Sequence, residues 1–404
     1  MKRSAIAMSS RRLPGKQVVE KQISLTRTGA DTIGQILKST GRPCVTKSEQ
    51  GPKEKKKEKS AEKREKLHRD AMMAEKATSG SFLVVNSVQP RTLKDYRRRL
   101  AVFADWIKPL KLDKLDAVTL GRVIIEHWEE LFMNGSAAGE AEKLLSAVEL
   151  LVKDARRGQI REPVNARLAL RGFRRLCPAA TRAPMPWVGL CAMIGASLWA
   201  GEVDFALAIL LAFVAYLRPG ELVSLTSEQL IEPLPGSGVT WWSVLIAPEI
   251  KGKPSKIGAF DETALLDQPI LLRLAPVLRK QKRRAEKGNL WPFTQLQYGA
   301  TFKRMAEFSG TAVLAAHPYS LRHGGASHDS LHKLRTPEQI RKQGRWRCEK
   351  SVARYNKHAR VVAEANKLPE KVRRYGQLVN QNLVAWMAKP AMAKPPPPQA
   401  LLRN

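Results

Sequence analysis

The sequence predicts a mostly α-helical protein with a small antiparallel β-sheet, folded as two domains. Apolar residues recur at three- and four-residue steps through most of the chain beyond Thr92, the pattern of amphipathic helices. Only Val239–Ile250 has the β-branched and aromatic enrichment of a strand. Pro178 and the run Arg182-Ala183-Pro184-Met185-Pro186 break helical patterning near the middle, which makes 178–186 the expected linker.

Residues 1–88 read as a basic leader. Within it Lys53–Arg69 mixes charges with almost no apolar residues, so it cannot offset its ordering entropy by burial, and the leader is expected to be largely disordered. A solvated segment is the first expectation there, a nuclear-import signal or non-specific DNA arm the second. In Thr92–Ile107, Leu93, Tyr96, Leu100, Phe103 and Trp106 share one face while Lys94, Arg97, Arg98 and Arg99 lie largely elsewhere, giving a basic amphipathic helix. Helices at Val118–Asn134, stopped by Gly135, and at Ala137–Ala155 complete a small all-helical domain over 89–177.

The second domain, 187–375, opens with helices around Trp187–Trp199 and Val203–Leu217. They form the longest apolar stretch, but Gly201-Glu202-Val203-Asp204 interrupts it and neither half reaches the roughly 18 residues of a membrane span. Two buried helices and no membrane partner are expected. Strand Val239–Ile250 leads into a Gly/Pro/Lys turn, Lys251–Lys256, and a returning strand at Ile257–Leu266. Helices resume at Pro269–Arg284, Thr294–Phe308 and Ser320–His332. Another begins at Thr336, which can cap, with Pro337 at the first helical position and Gln339 completing a capping box. From 376 onward, most plainly in Ala388–Ala400, a proline-rich extended tail is expected.

The chain has 404 residues, 43% of them hydrophobic, enough to bury sizeable cores. Seventy Lys and Arg against thirty-seven Asp and Glu give a net charge of +33, so the expected partner is a polyanion, nucleic acid first. Cys44, Cys177, Cys191 and Cys348 are too scattered for CxxC pairs or a disulfide framework, which points to a reducing compartment and no structural zinc. The N-terminus has positive charge but no apolar signal-peptide core, so a cytosolic or nuclear protein is expected.

Three segments stand out. In Tyr216-Leu217-Arg218-Pro219-Gly220-Glu221-Leu222, an arginine ends an apolar helix, Pro219 can start the next, and Glu221 falls within reach of orienting that guanidinium. In His317-Pro318-Tyr319-Ser320-Leu321-Arg322-His323-Gly324-Gly325, a second arginine stands beside a histidine and glycines that permit close backbone approach. Gly344-Arg345-Trp346 is followed, nine positions after the tryptophan, by Tyr355.

Over roughly residues 90–375 this combination resembles the tyrosine recombinases, the phage-integrase family. Arg218 and Glu221 fit the family's Arg-x-x-Glu-Leu box, Arg322 and His323 its His-x-x-Arg-His box, Trp346 its Gly-His or Gly-Trp element, and Tyr355 its nucleophile. Its β-turn lysine fits Lys251, with Lys253 the rival. The phrase around Arg322 and the long basic leader look most like recombinases of DIRS-type and Crypton-like eukaryotic mobile elements. One departure stands out: the histidine expected three residues before Arg322 is Tyr319, and His317 falls two residues early.

The resemblance implies a helical core-binding (SAM-like) DNA-binding domain at 89–177 and an α+β catalytic domain at 187–375. It also implies double-stranded DNA as partner, a tetrameric synaptic complex, and DNA recombination or integration through a 3′-phosphotyrosine and a free 5′-hydroxyl with no metal, ATP or other cofactor. The location it implies is the nucleus for a eukaryotic mobile element and the cytoplasm for a prokaryotic protein. The residue types suit the chemistry. Two bidentate guanidiniums match the charge that builds on the non-bridging oxygens, cationic neighbours favour a phenolate, and a lysine on a hairpin can protonate the departing oxygen.

Taken singly, Arg218–Glu221 would be a salt bridge, Trp346 a core residue and Tyr355 an amphipathic-helix residue. His328 and His332 lack a third zinc ligand, and Lys251–Lys256 lacks the frame GxxxxGK[ST] of a phosphate loop. Two other readings of the whole are a type IB-like topoisomerase and a catalytically decayed or domesticated DNA-binding protein.

Overall fold

Among the described residues the first helix begins where the apolar periodicity begins. The computed structural model describes residues 87–111, 117–152, 163–178, 182–252, 254–255, 258–353, 355, 358–390 and 394–398. The expected leader lies outside the described residues except for its last two. The described chain is mostly helical with one three-stranded antiparallel sheet, and it forms two compact units that divide between Pro178 and Ala179.

The first unit holds α1 (Pro90–Ile107), α2 (Ala117–Met133), α3 (Ala138–Leu151) and α4 (Pro163–Leu176). Pro90 occupies the first turn of α1, where its missing N–H costs nothing. Phe103, Val123, Ile124, Trp128, Leu144, Val148 and Phe173 meet in one core. Helix α4 was not expected as a separate element, yet Ala166, Leu170 and Phe173 form its buried stripe at steps of four and three. Arg99 on α1 reaches both Asp95 and Glu140 on α3.

In the second unit α5 (Trp187–Trp199) and α6 (Val203–Val214) are buried over Gly189–Leu198 and Phe205–Val214, as expected for a pair of core helices. No helix among the described residues is long and apolar enough to cross a membrane. Helix α6 stops at Val214, three residues before the expected Leu217. Arg218 precedes Pro219 and is extended (φ −72°, ψ 147°), because the proline ring disfavours the helical conformation for the residue before it. The turn is completed by Tyr216 in the left-handed region at φ +48°.

After α7 (Pro219–Val223) the sheet runs β1 (Leu230–Ile231), β2 (Trp242–Ile246) and β3 (Glu262–Leu266) in that order. Strand β2 buries Trp242, Val244 and Ile246 and pairs with β3 in the register Val244 to Ala264. It is shorter than the apolar run because Ala247 turns at φ +51° and Pro248 has no N–H to donate. Two residues are too few for β1 to show a period. The expected helix Pro269–Arg284 is two, α8 (Pro269–Arg273) and α9 (Ala275–Arg284), separated at Leu274 by the donorless Pro276.

Helix α10 (Gln295–Phe308) is capped by Thr294, and α12 (Pro337–Gly344) has the expected Thr336–Gln339 capping box. Between them lies α11 (Tyr319–Leu331). Helices α13 (Glu349–Ala353), α14 (His358–Lys367) and α15 (Glu370–Ala388) close the unit.

Two further boundaries differ from expectation. The tail expected from 376 begins later, because α15 continues to Ala388 with Val379, Leu383 and Met387 buried at steps of four; Tyr375 then donates to the carbonyl of Pro396. The end of the expected linker is core. Pro184, Met185 and Pro186 are buried, and the N–H of Met185 donates to the Ser320 carbonyl at 3.1 Å.

Helix α11 packs so closely on α6 that a Cβ at Gly325 would collide with the carbonyl oxygen of Phe213. Gly325→Ala is expected to destabilise the second unit by about 3 kcal/mol, the upper end for overpacking. A denaturant midpoint equal to wild type would refute this packing.

Candidate active site

The site grows from the end of α6. Where the chain leaves that helix at Tyr216, its carbonyl is released from helical bonding and becomes an acceptor. Arg322, from the first turn of α11, donates one terminal nitrogen to that carbonyl and the other to the carbonyl of Gly344. Its guanidinium is fully buried beneath the Trp346 ring, 4.9 Å from the ring centroid. Burial, and then the neighbouring charge of Arg218, lower its pKa.

Arg218 lies at the N-terminus of α7. Its backbone N–H donates to Glu221 Oε2 at 2.9 Å, and its guanidinium donates to Oε1 of the same carboxylate. One side chain thus caps the helix and orients the arginine, as the sequence led one to expect. Burial alone would lower the Arg218 pKa, but Glu221 and Tyr319 more than offset it, so the value is raised. For Glu221 burial is likewise outweighed, by Arg345 and Arg218, and its pKa is lowered.

Arg345 is the residue that sequence reasoning left unassigned. It follows α12 in the left-handed region at φ +54°, a strained conformation for a side chain with a Cβ. It donates to the carbonyls of Gln343 at 2.9 Å, Tyr216 at 3.2 Å and Ala215 at 3.3 Å, and to Glu221 Oε2 at 2.8 Å. Burial pushes its pKa down to about 10. Two guanidiniums thus bond one carboxylate and the charge of a third, Arg322, acts on it, so the surplus is positive. The only sequence signal for Arg345 was its place between two residues already singled out.

Tyr216 is held from its other end. Its phenol donates to Asp329 at 2.5 Å, and Asp329 also accepts from Gln268 and Arg335 at 3.0 Å. The carbonyl that anchors two arginines is thereby fixed by a buried polar network.

Tyr355 stands in the turn after α13. Its ring stacks on Trp346 at 4.1 Å and lies 4.8 Å from the His323 ring, which is 5.4 Å from that of Tyr319. Ser327 donates to its carbonyl at 2.6 Å. Tyr355 and Val352 belong to a small apolar cluster with Tyr216, Ala326 and Ile340, against which Trp346 packs. The Trp346 ring covers Gly344 so closely that a Cβ there would overlap it.

A cleft of about 650 Å³ opens beside this cluster, lined by Arg218, Glu221, Gln229, Lys251, His317 and Tyr319 among others. Arg322, Trp346 and Tyr355 do not line it; they stand together in the aromatic cluster, joined to the cleft wall through Arg345 and Glu221. Lys251, in the turn after β2, donates from Nζ to Gln229 at 2.6 Å and Thr226 at 3.3 Å. Burial lowers its pKa, with Glu228 acting in the opposite sense. Its rival Lys253 lies outside the described residues. Arg182 covers the Tyr319 ring at 4.5 Å, and the Tyr319 N–H donates to His317 Nδ1 at 3.2 Å. His317, two residues early by spacing, thus reaches the same cleft.

His328 stacks on Trp187 and packs against Phe213, and burial pushes its pKa down to about 4. It is a half-buried histidine held by ring packing. Among the described residues no group of three potential metal donors is found.

No protein-family model and no curated protein matches the chain. Solved structures similar to it include XerH site-specific recombinase in a post-cleavage complex with palindromic difH substrate, at 12% identity, TM-score 0.47, over 65% of this chain and 75% of that one. A lambda integrase dimer bound to a COC′ core site follows at 15% identity and TM-score 0.45, over 82% and 86%. XerA recombinase shares 16% identity at TM-score 0.32, over 74% and 95%. The functional reading rests on the side chains of the site.

Proposed function

We propose that the chain breaks and rejoins DNA strands through a covalent bond to Tyr355. One observation carries this: segments far apart in sequence, 216–221, 317–323 and 344–355, bring three arginines into one cluster beside a stacked tyrosine. Such a cluster suits a phosphodiester in transition, because the guanidiniums are preorganised where negative charge builds.

In this reading the Tyr355 hydroxyl passes its proton to the neighbouring His323 imidazole as its oxygen bonds to phosphorus, the bond to the 5′ oxygen breaks, and Lys251 gives a proton to that oxygen. The products are a 3′-phosphotyrosine and a 5′-hydroxyl, and the 5′-hydroxyl of another strand reverses the step. Arg218 and Arg322 stabilise the charge, Glu221 orients Arg218, and Trp346 presents its indole N–H while packing apolar. His323 and Tyr319 complete the polar wall. More narrowly, we assign the chain to recombinases of DIRS-type or Crypton-like mobile elements, acting in the nucleus as a tetramer on duplex DNA. The helical unit, 89–177, binds DNA and 187–375 does the chemistry.

The test is a nicked duplex that traps the intermediate, with peptide mapping of the attached residue. An adduct at Tyr355 supports the proposal. Duplex binding without any adduct favours a decayed DNA-binding protein, a reading that draws on Tyr319 standing where the family has histidine. Relaxation of supercoils with no exchange between two sites would indicate a topoisomerase instead.

A pH dependence follows from Lys251. A general acid must be protonated, and the Lys251 pKa lies below the ordinary lysine value, so cleavage is expected to fall on the alkaline side at a lower pH than an unperturbed lysine would give. Lys251→Met should lower the rate and abolish that alkaline limb. A limb that persists in the variant belongs to another group.

A further inference from the structure

Helix α9 carries a second concentration of positive charge, sharing no residue with the cleft. Its inner face is tied down: Leu278 is buried, Gln281 donates to the carbonyl of Leu290 at 2.7 Å, and Lys282 to that of Leu230 at 2.6 Å. Its outer face borders an open groove of about 640 Å³ lined by Pro276, Arg279, Lys280, Arg283 and Arg284. Arg279 pairs with Glu232, and Arg284 with Asp204. Lys280 and Arg283 are exposed and have no ion pair among the described residues. Exposed Lys287, three residues beyond Arg284, extends the row.

We infer that this face binds the phosphodiester backbone of duplex DNA, at a place separate from the cleft. The groove is open, so it lacks the converging donors that would enclose a small phosphate. Its cations recur every three or four residues, about 4.5–6 Å along the helix axis, a row of charges suited to an extended polyanion. No aromatic side chain lines it, so nothing there can stack on the bases of a single strand. Like charges one turn apart repel each other, and a polyanion laid across them relieves that repulsion. The choice of DNA among polyanions rests on the proposed function; the charge row itself does not.

The experiment compares wild type with the double variant Lys280→Gln/Arg283→Gln on a short duplex of arbitrary sequence. Both positions are exposed and outside the catalytic cluster, so adduct formation on the nicked duplex should match wild type. Losing two phosphate contacts should reduce the slope of log affinity against log salt by about 1.8, making the affinity loss between 50 and 200 mM salt roughly 10-fold smaller. An unchanged slope overturns the inference, as does a slope change seen with duplex RNA and not with DNA. Loss of the adduct in the variant would make the face part of the DNA path into the cleft and overturn its separateness. Should wild type itself form no adduct, the catalytic reading fails while the slopes still decide the role of α9.

Discussion

Tyr355→Phe is expected to abolish the covalent adduct on nicked DNA while leaving the fold and duplex binding in place. The substitution removes one oxygen and keeps the ring, and the ring makes the contacts that hold this turn, on Trp346 at 4.1 Å and beside His323 at 4.8 Å. The Ser327 bond goes to the backbone carbonyl and is indifferent to the change. The chain has six tyrosines, and the structure disfavours most of the others. The Tyr216 phenol donates to Asp329, while Tyr298 and Tyr375 are buried and burial raises their pKa values, away from the phenolate. Tyr375→Phe is therefore the control and should leave adduct formation unchanged. Tyr319 lies in the cleft and is the rival that matters; an adduct mapped to it would overturn the assignment of Tyr355.

The parts of the structure that were legible in the sequence are those set by local rules. Thr294 and Thr336 announce their helices through side-chain capping, and the apolar runs of α5 and α6 announce burial. Arg218 and Glu221 were readable as a pair because a helix N-terminus brings positions three apart together. Other features depend on contacts that no short window contains. The buried stripe of α15, Val379, Leu383 and Met387 at steps of four, is masked in the sequence by the run of prolines that follows it. Arg345 was hidden for a deeper reason: its partners, Ala215, Tyr216 and Glu221, come from the end of α6 and the start of α7, and it adopts a backbone conformation that residue type alone argues against. A strained arginine is kept only where surrounding acceptors fix it. That same convergence gives the site its third positive charge.

Arg322→Lys is expected to slow cleavage by roughly 10²–10³-fold and also to destabilise the second unit, whereas Arg218→Lys should slow cleavage to a similar degree at little cost in stability. The difference follows from what each guanidinium holds. Arg322 is fully buried and joins the carbonyls of Tyr216 and Gly344, so it ties the end of α6 to the end of α12. An ammonium is a single point and cannot span both acceptors. One carbonyl would lose its partner and the buried charge would be worse solvated, a change on the order of 3–5 kcal/mol for a broken buried interaction. Arg218 is partly exposed and bonded chiefly to Glu221, a carboxylate that a lysine can still reach and that retains Arg345. Cleavage should be measured well below the unfolding midpoint of each variant, so that the two effects separate. Wild-type cleavage by Arg218→Lys would remove that arginine from the chemistry. An Arg322→Lys variant with an unchanged unfolding midpoint would show that its two carbonyl contacts do not hold the site together.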